Sequence, residues 1–385
     1  MIDIGEFPSL YGDSDIGSIS DRRRERAQAD KRMLSEPACE FSADDLVFSK
    51  NQHRYSVTSE GVRFELLFLD NDSSEKLYIS LSSAIHPFYP KFLRWSWAKF
   101  LDAKFLCIDD PMYADSSLAP KVPRWYYGTA EKSYLCALIP VIHKIIEELR
   151  IKPEQVVFLG SSGGGYAALY LANAISGSTA FALNPQIIPA LWSKGRYARA
   201  FRAKLKIDLS SEDRYHRNNI ILTNAKSRFF ISFNHDSSLD RVQLAEFFKN
   251  QGISTNQYGI TQHGNIILWL HSTPGKNRHN CNPEKIEIKI MEFLLNQINK
   301  DENINAFSHF SQVISEYLSE RYVHRKDMMK KNALIESYEK KIMMLQQKIR
   351  KKNKPHKEYA SIQKKSCFSW LRNVFVHFMQ TYKRC

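Results

Sequence analysis

The residues Val156-Val157-Phe158-Leu159 form an apolar run that leads into Gly160-Ser161-Ser162-Gly163-Gly164-Gly165 and then Tyr166-Ala167-Ala168-Leu169-Tyr170. This reads as a strand, a glycine-rich turn and an alanine-rich helix, and it satisfies GxSxG with Ser162 at the centre. The spacing serves nucleophilic catalysis. Glycines two residues either side let strand and helix approach closely, while the serine hydroxyl projects above the sheet from a strained turn. At a helix N-terminus the Gly163 amide can donate to an oxyanion. Two other readings of the turn are a plain strand-to-helix connection with serine as helix cap and a phosphate-binding loop. No Lys follows the glycines and Gly160, Ser162 and Gly165 do not satisfy GxGxxG, which argues against the phosphate loop.

An activated serine needs a base, and the base needs an acid to orient it. Candidates follow in the order acid, then base. The apolar run Arg228 to Phe233 precedes Asn234-His235-Asp236, and the run Asn256 to Ile260 precedes Thr261-Gln262-His263-Gly264-Asn265. His263 is the expected base and Asp236 the expected acid, with Asp240 the alternative acid; His235 and His271 are spare histidines. The second oxyanion donor is expected after the run Leu77 to Leu81, from the amide of Ser83 or Ala84.

The elements that would position these residues alternate. Strands are predicted at Val62 to Leu69, Leu77 to Leu81, Lys104 to Ile108, Gln155 to Leu159, Thr179 to Leu183, Arg228 to Phe233 and Asn256 to Ile260. Helices are predicted near 93–102, 131–150, 164–176, 239–251 and 284–299. That alternation predicts an α/β chain with a mostly parallel sheet and helices on both faces. Residues 1–35 read as a mobile polar leader, 36–300 as the catalytic domain and 301–385 as a basic helical extension. The long connection 185–227 is expected to be a cap over the site. Its Trp192 and Tyr197 are candidates for stacking on a sugar ring, and Arg196, Arg199, Arg202 and Lys204 for holding phosphate or carboxylate groups.

The net charge of +14 is localised: residues 321–385 carry 18 Lys plus Arg against 4 Asp plus Glu, so the rest of the chain is neutral. The positive charge therefore belongs to the extension, where Cys367 to Met379 is aromatic and amphipathic beside a lysine-rich stretch, the composition of an interfacial membrane anchor. No nucleic-acid-binding motif accompanies it. There is no run of eighteen apolar residues and no apolar signal core near the start, so a cytoplasmic protein is expected. The six cysteines are scattered without a CxxC pair, which points to reduced thiols and to neither a zinc site nor a disulfide framework.

At Gly160 to Tyr166 the chain resembles the α/β-hydrolase superfamily, over roughly residues 45–298. With Asn184-Pro185-Gln186 it is similar to bacterial surface-polysaccharide biosynthesis proteins, including capsule O-acetyltransferases of this fold. The resemblance implies ping-pong acyl transfer: Ser162 takes an acetyl group from acetyl-CoA as co-substrate, with no resident cofactor or metal, and passes it to a hydroxyl of a polysaccharide or oligosaccharide acceptor. It would also place the extension at the inner membrane face or in a capsule assembly complex. A carboxylesterase or deacetylase shares the first half-reaction, and a non-catalytic scaffold of the same fold would tolerate Ser162→Ala.

Overall fold

The computed structural model describes residues 36–49, 52–83, 92–99, 101, 103–114, 122–211, 213–254 and 259–271. The expected leader, the helix 284–299 and the basic extension lie outside the described residues. Ten strands form one sheet: β1 (Cys39–Ser42), β2 (Arg54–Ser59), β3 (Val62–Leu69), β4 (Leu77–Leu81), β5 (Lys104–Ile108), β6 (Val156–Ser161), β7 (Thr179–Leu183), β8 (Arg228–Asn234), β9 (Gly259–His263) and β10 (Ile266–His271). Their spatial order is β1-β2-β3-β5-β4-β6-β7-β8-β10-β9. From β5 through β4, β6, β7 and β8 to β10 every pairing is parallel, while β3 is antiparallel to both of its neighbours. Reading β2, β3, β5, β4, β6, β7, β8 and β10 across the sheet gives the α/β-hydrolase order, with β1 added at one edge and β9 at the other.

The central strands β4, β6 and β7 are buried along their whole length, as expected of parallel strands covered on both faces. One face, carrying Leu77, Ile79, Leu106, Phe158, Ala180, Ile231 and Leu268, forms the main core with two helices. These are α1 (Tyr134–Glu148) and α2 (Gly163–Ala174). In α1 the apolar residues Leu135, Leu138, Val141, Ile142 and Ile145 recur at helical spacing and are buried, and the Ser133 hydroxyl caps the helix by accepting the Cys136 amide at 3.2 Å. Each such aliphatic side chain contributes about 1.5–3 kcal/mol on burial. On the opposite face Ser80 and Cys107 both donate to the Leu93 carbonyl, tying the segment before a 3-10 turn at Trp95–Lys99 to the sheet. Two further helices, α3 (Arg196–Leu205) and α4 (Ser238–Gln251), follow β7 and β8. Among the described residues no helix is long and apolar enough to cross a membrane.

Four strands differ from the sequence reading. β1 and β2 were not expected, and the expected last parallel strand at 256–260 is replaced by a hairpin. In it β9 runs antiparallel to β10, and β10 supplies the parallel partner of β8. The turn is Gly264-Asn265, with Gly264 at φ 60°. Gly-Asn between two apolar runs is a two-residue hairpin signal that was present in the sequence.

Candidate active site

Ser162 lies between β6 and α2 with φ 57° and ψ −121°, a region that non-glycine residues adopt only when the surroundings hold them there. Here the surroundings are glycines. A Cβ on Gly160 would stand 2.0 Å from the Gly164 carbonyl oxygen, and one on Gly164 would stand 2.6 Å from the Leu81 carbonyl oxygen. The turn therefore closes only with glycine at both positions, which packs the first turn of α2 against the end of β4. The Ser162 amide donates to Leu183 O at 2.9 Å, and its carbonyl accepts from the amides of Tyr166 and Gln186. The hydroxyl accepts from Gln186 Nε2 at 2.5 Å.

Gly163 opens α2, so its amide lies at the helix N-terminus beside Ser162. Ser83 follows the C-terminal end of β4, next to α2; Ala84 lies outside the described residues.

The structure does not bring His263, the expected base, together with Ser162. His263 pairs with Ile266, which pairs with Phe229 at the start of β8, whereas Ser161 is level with Ser232 near its end. His263 is thus about 10 Å lower along the strands and four strand spacings, about 19 Å, across the sheet from the nucleophile turn. Its Nε2 lies 3.2 Å from Thr261 Oγ1. His271 ends β10 in register with Asn234, at the same edge of the sheet as Ser162. Its carbonyl accepts the His235 amide at 2.9 Å. Burial pushes the His271 imidazole down to about 4, against an opposing pull from the neighbouring Asp236 carboxylate. It is therefore neutral, and able to accept a proton, across the physiological range.

Asp236 is placed by a turn at Asn234, whose side-chain oxygen accepts the Asp236 amide at 3.0 Å, while Asn184 reaches across from the end of β7 to accept the Asn234 amide at 2.9 Å. Asp240 sits in the first turn of α4, where Ser237 caps its amide and the helix terminus favours a carboxylate. The carboxylate that acts electrostatically on His271 is Asp236.

The 185–227 segment splits into an anchored part and an exposed part. Trp192 is only 6% exposed and belongs to the core, so it has no open ring face for a sugar, contrary to expectation. Phe201 is fully buried and packs its ring 5.4 Å from that of Trp125, which itself lies against Gly163. This puts α3 one aromatic ring from the nucleophile turn. On its outer side Arg196, Arg199, Arg202 and Lys204 are exposed. Arg202 forms an ion pair with Asp208, whose carboxyl is held below its usual range mainly by hydrogen bonds from Ser210. Arg196 and Arg199 thus supply cationic surface beyond that pair.

In the sequence Trp125-Tyr126-Tyr127 after Pro123 reads equally as lining of an acceptor groove or as core, and Gln186 carries no chemical role of its own. Trp125, Tyr126 and Gln186 are all buried. Trp125 Nε1 donates to Gln186 Oε1 at 2.5 Å. Trp125 and Tyr126 are consecutive left-handed residues, φ 56° and 52°, and Asp110 Oδ2 holds their turn by accepting the Tyr126 amide at 2.7 Å. Burial pushes the Asp110 carboxyl up to about 7, against the lowering effect of the Tyr126 and Met112 amides.

No family model matches the chain, and neither does any curated protein. Solved structures do. The capsule O-acetyltransferase of Neisseria meningitidis serogroup A, in a complex with caged gadolinium, is similar at 22% identity and a TM-score of 0.42, over 63% of this chain and 96% of that one. An α/β serine hydrolase homologue from Coxiella burnetii is similar at 13% identity and a TM-score of 0.37, over 64% of this chain and 97% of that one. A hormone-sensitive lipase from a metagenome library follows at 14% identity and a TM-score of 0.36, over 77% and 92%. The fold assignment rests on the strand order, which is that of an α/β hydrolase.

Proposed function

We propose that the protein is a serine acyltransferase that moves an acetyl group from acetyl-CoA to a hydroxyl of an anionic surface polysaccharide. The observation that carries this reading is the backbone of Ser162, held by close-packed glycines in a conformation that costs about 1–3 kcal/mol and lifts its hydroxyl above the sheet. In the first half-reaction Ser162 Oγ attacks the thioester carbonyl and its proton passes to His271, oriented by Asp236. Collapse of the tetrahedral adduct breaks the C–S bond, and the thiolate leaves with the proton from His271. In the second half the acceptor hydroxyl gives its proton to His271 and attacks the acyl carbon; the C–Oγ ester bond then breaks and His271 returns the proton to Ser162 Oγ. β7 and β8 lie between β6 and β10, a span of about 14 Å between strands, with His271 and Ser162 at the same edge of the sheet.

The acceptor class comes from the sequence resemblance, and the exposed Arg196 and Arg199 on α3 suit an acceptor with phosphate or carboxylate groups. The test is release of CoA thiol from acetyl-CoA with and without acidic capsular oligosaccharide. Faster release with acceptor, an acetyl ester on the sugar and no release by Ser162→Ala support the transferase. Acceptor-independent release makes the enzyme a hydrolase, and equal release by Ser162→Ala rejects the reading. We assign the enzyme to the cytoplasm, with residues 321–385 at the inner membrane face, each Lys or Arg near anionic lipid contributing about 1 kcal/mol. Flotation with phosphatidylserine vesicles that is unchanged by removing residues 350–385 would reject that placement.

A further inference from the structure

The geometry points to Gln186 as a side-chain donor of the oxyanion hole, locked in its donating orientation by the Trp125 indole; this role rests on Ser162 being the nucleophile. An amide side chain can normally present either end to a neighbour, but here chemistry decides which end. The Trp125 indole N–H is a donor only, so the end of Gln186 that meets it at 2.5 Å must be the carbonyl oxygen. The NH2 end is then forced to face Ser162 Oγ, where it donates at 2.5 Å. The Gln186 backbone is fixed to the same residue, its amide donating to Ser162 O at 3.2 Å, and the following segment is pinned because Gln243 bonds both the amide and the carbonyl of Ile188. Gln186 is 1% exposed and Trp125 equally buried, so water does not compete for these donors.

The lock has a cost that its structure makes visible. Trp125 and Tyr126 are both left-handed, a conformation costing roughly 1–2 kcal/mol per non-glycine residue, and the buried Asp110 and the Tyr126 hydroxyl bond to Ile108 O hold them there. A Cβ at Gly163 would meet Trp125 Cδ1 at 3.3 Å and Gln186 Oε1 at 3.7 Å, so Gly163, the first residue of α2 after Ser162, packs against the same Trp125–Gln186 pair whose NH2 group reaches Ser162 Oγ. When Oγ bonds the acyl carbon, the carbonyl π pair moves onto oxygen one bond angle from Oγ. The Gln186 N–H follows it, donating to the oxyanion together with Gly163, and returns to Oγ when the leaving group departs. A donor that strengthens only as charge develops lowers the barrier without tightening substrate binding.

The experiment uses the full chain with 4-nitrophenyl acetate as acyl probe, and reads the pre-steady-state rate of acylation and its half-saturating concentration. Gln186→Glu, assayed at a pH high enough to ionise a buried carboxyl, keeps the shape and the acceptor for Trp125 but offers Ser162 no donor. It is expected to acylate about 100- to 1000-fold more slowly at an unchanged half-saturating concentration. Trp125→Phe frees the amide to turn; it should slow acylation in wild-type background and add nothing on Gln186→Glu, the non-additivity of a single chain of contacts. Acylation of Gln186→Glu within about threefold of wild type, with the label on Ser162 in both, overturns the donor role and leaves the nucleophile standing. Absence of any acylation in the wild type overturns the nucleophile and the donor together.

Discussion

Ser162 is the residue on which the proposed acyl transfer rests, and the groups around it fix its backbone. Its strained backbone is held by contacts at Gly160 and Gly164 that leave no room for a Cβ. Gly160→Ala is therefore expected to abolish activity, since backbone atoms and not a flexible side chain would have to move. The histidine assignment makes a sharper prediction. His271→Ala should lower kcat by about 10³-fold or more, while His263→Ala, at the far end of the sheet, should keep wild-type kcat. Near-normal turnover by His271→Ala would reject it as base. The pH profile is an independent check. Burial lowers His271 to about 4, so the neutral, proton-accepting form persists down to that pH, and the acid limb of kcat/KM should fall near pH 4 and not near the usual histidine value of about 6.5. The same shift has a stability sign. The unfolded chain binds the His271 proton below about 6.5 and the folded chain only below about 4, so this contribution is complete above the unfolded value and is lost as pH falls through the window between them.

The elements that frame the site were legible in the sequence wherever hydrophobic pattern alone decides them. β3, β4, β5 and β7 match their predicted bounds, and β6, α1, α2 and α4 differ by a few residues, because short apolar runs alternating with amphipathic stretches leave little choice. The base failed on one connection. The apolar run before His263 was read as the last parallel strand, and only the Gly264-Asn265 turn distinguishes a hairpin from a strand followed by a loop. Trp192 and Gln186 failed for another reason: whether an aromatic or an amide inside a long connection is buried depends on contacts with distant residues such as Trp125, which no local pattern encodes. The connection is anchored by Arg217, 1% exposed, which pairs with Asp213 and donates to the carbonyls of Tyr127 and Thr129. Its guanidinium lies 4.0 Å from the centre of the Tyr127 ring. Arg217→Ala leaves a buried carboxylate and these carbonyls without their donor, so urea unfolding should show a loss of about 3–5 kcal/mol; a loss under about 1 kcal/mol would mean the anchor lies elsewhere.

Along the sequence, residues 1–320 carry no net charge and residues 321–385 are strongly basic; within the described residues the strand order decides which side chains meet. Parallel strands bring their C-terminal ends to one edge, so Ser162 after β6, Gln186 after β7, Asp236 after β8 and His271 at the end of β10 gather there although they are far apart in sequence. The exposed cationic side of α3 stands beside this edge, joined to it through Phe201 and Trp125. The function follows from that convergence if Ser162 carries the acyl group. The most direct measurement is the intact mass of the full chain after brief incubation with acetyl-CoA, followed by peptide mapping, for wild type and Ser162→Ala. A single acetyl adduct that maps to Ser162, is absent from the variant and is discharged faster by capsular oligosaccharide than by water is the expected result. An unmodified wild-type chain with acetyl-CoA and with activated esters alike, or an adduct that survives in Ser162→Ala, would contradict it.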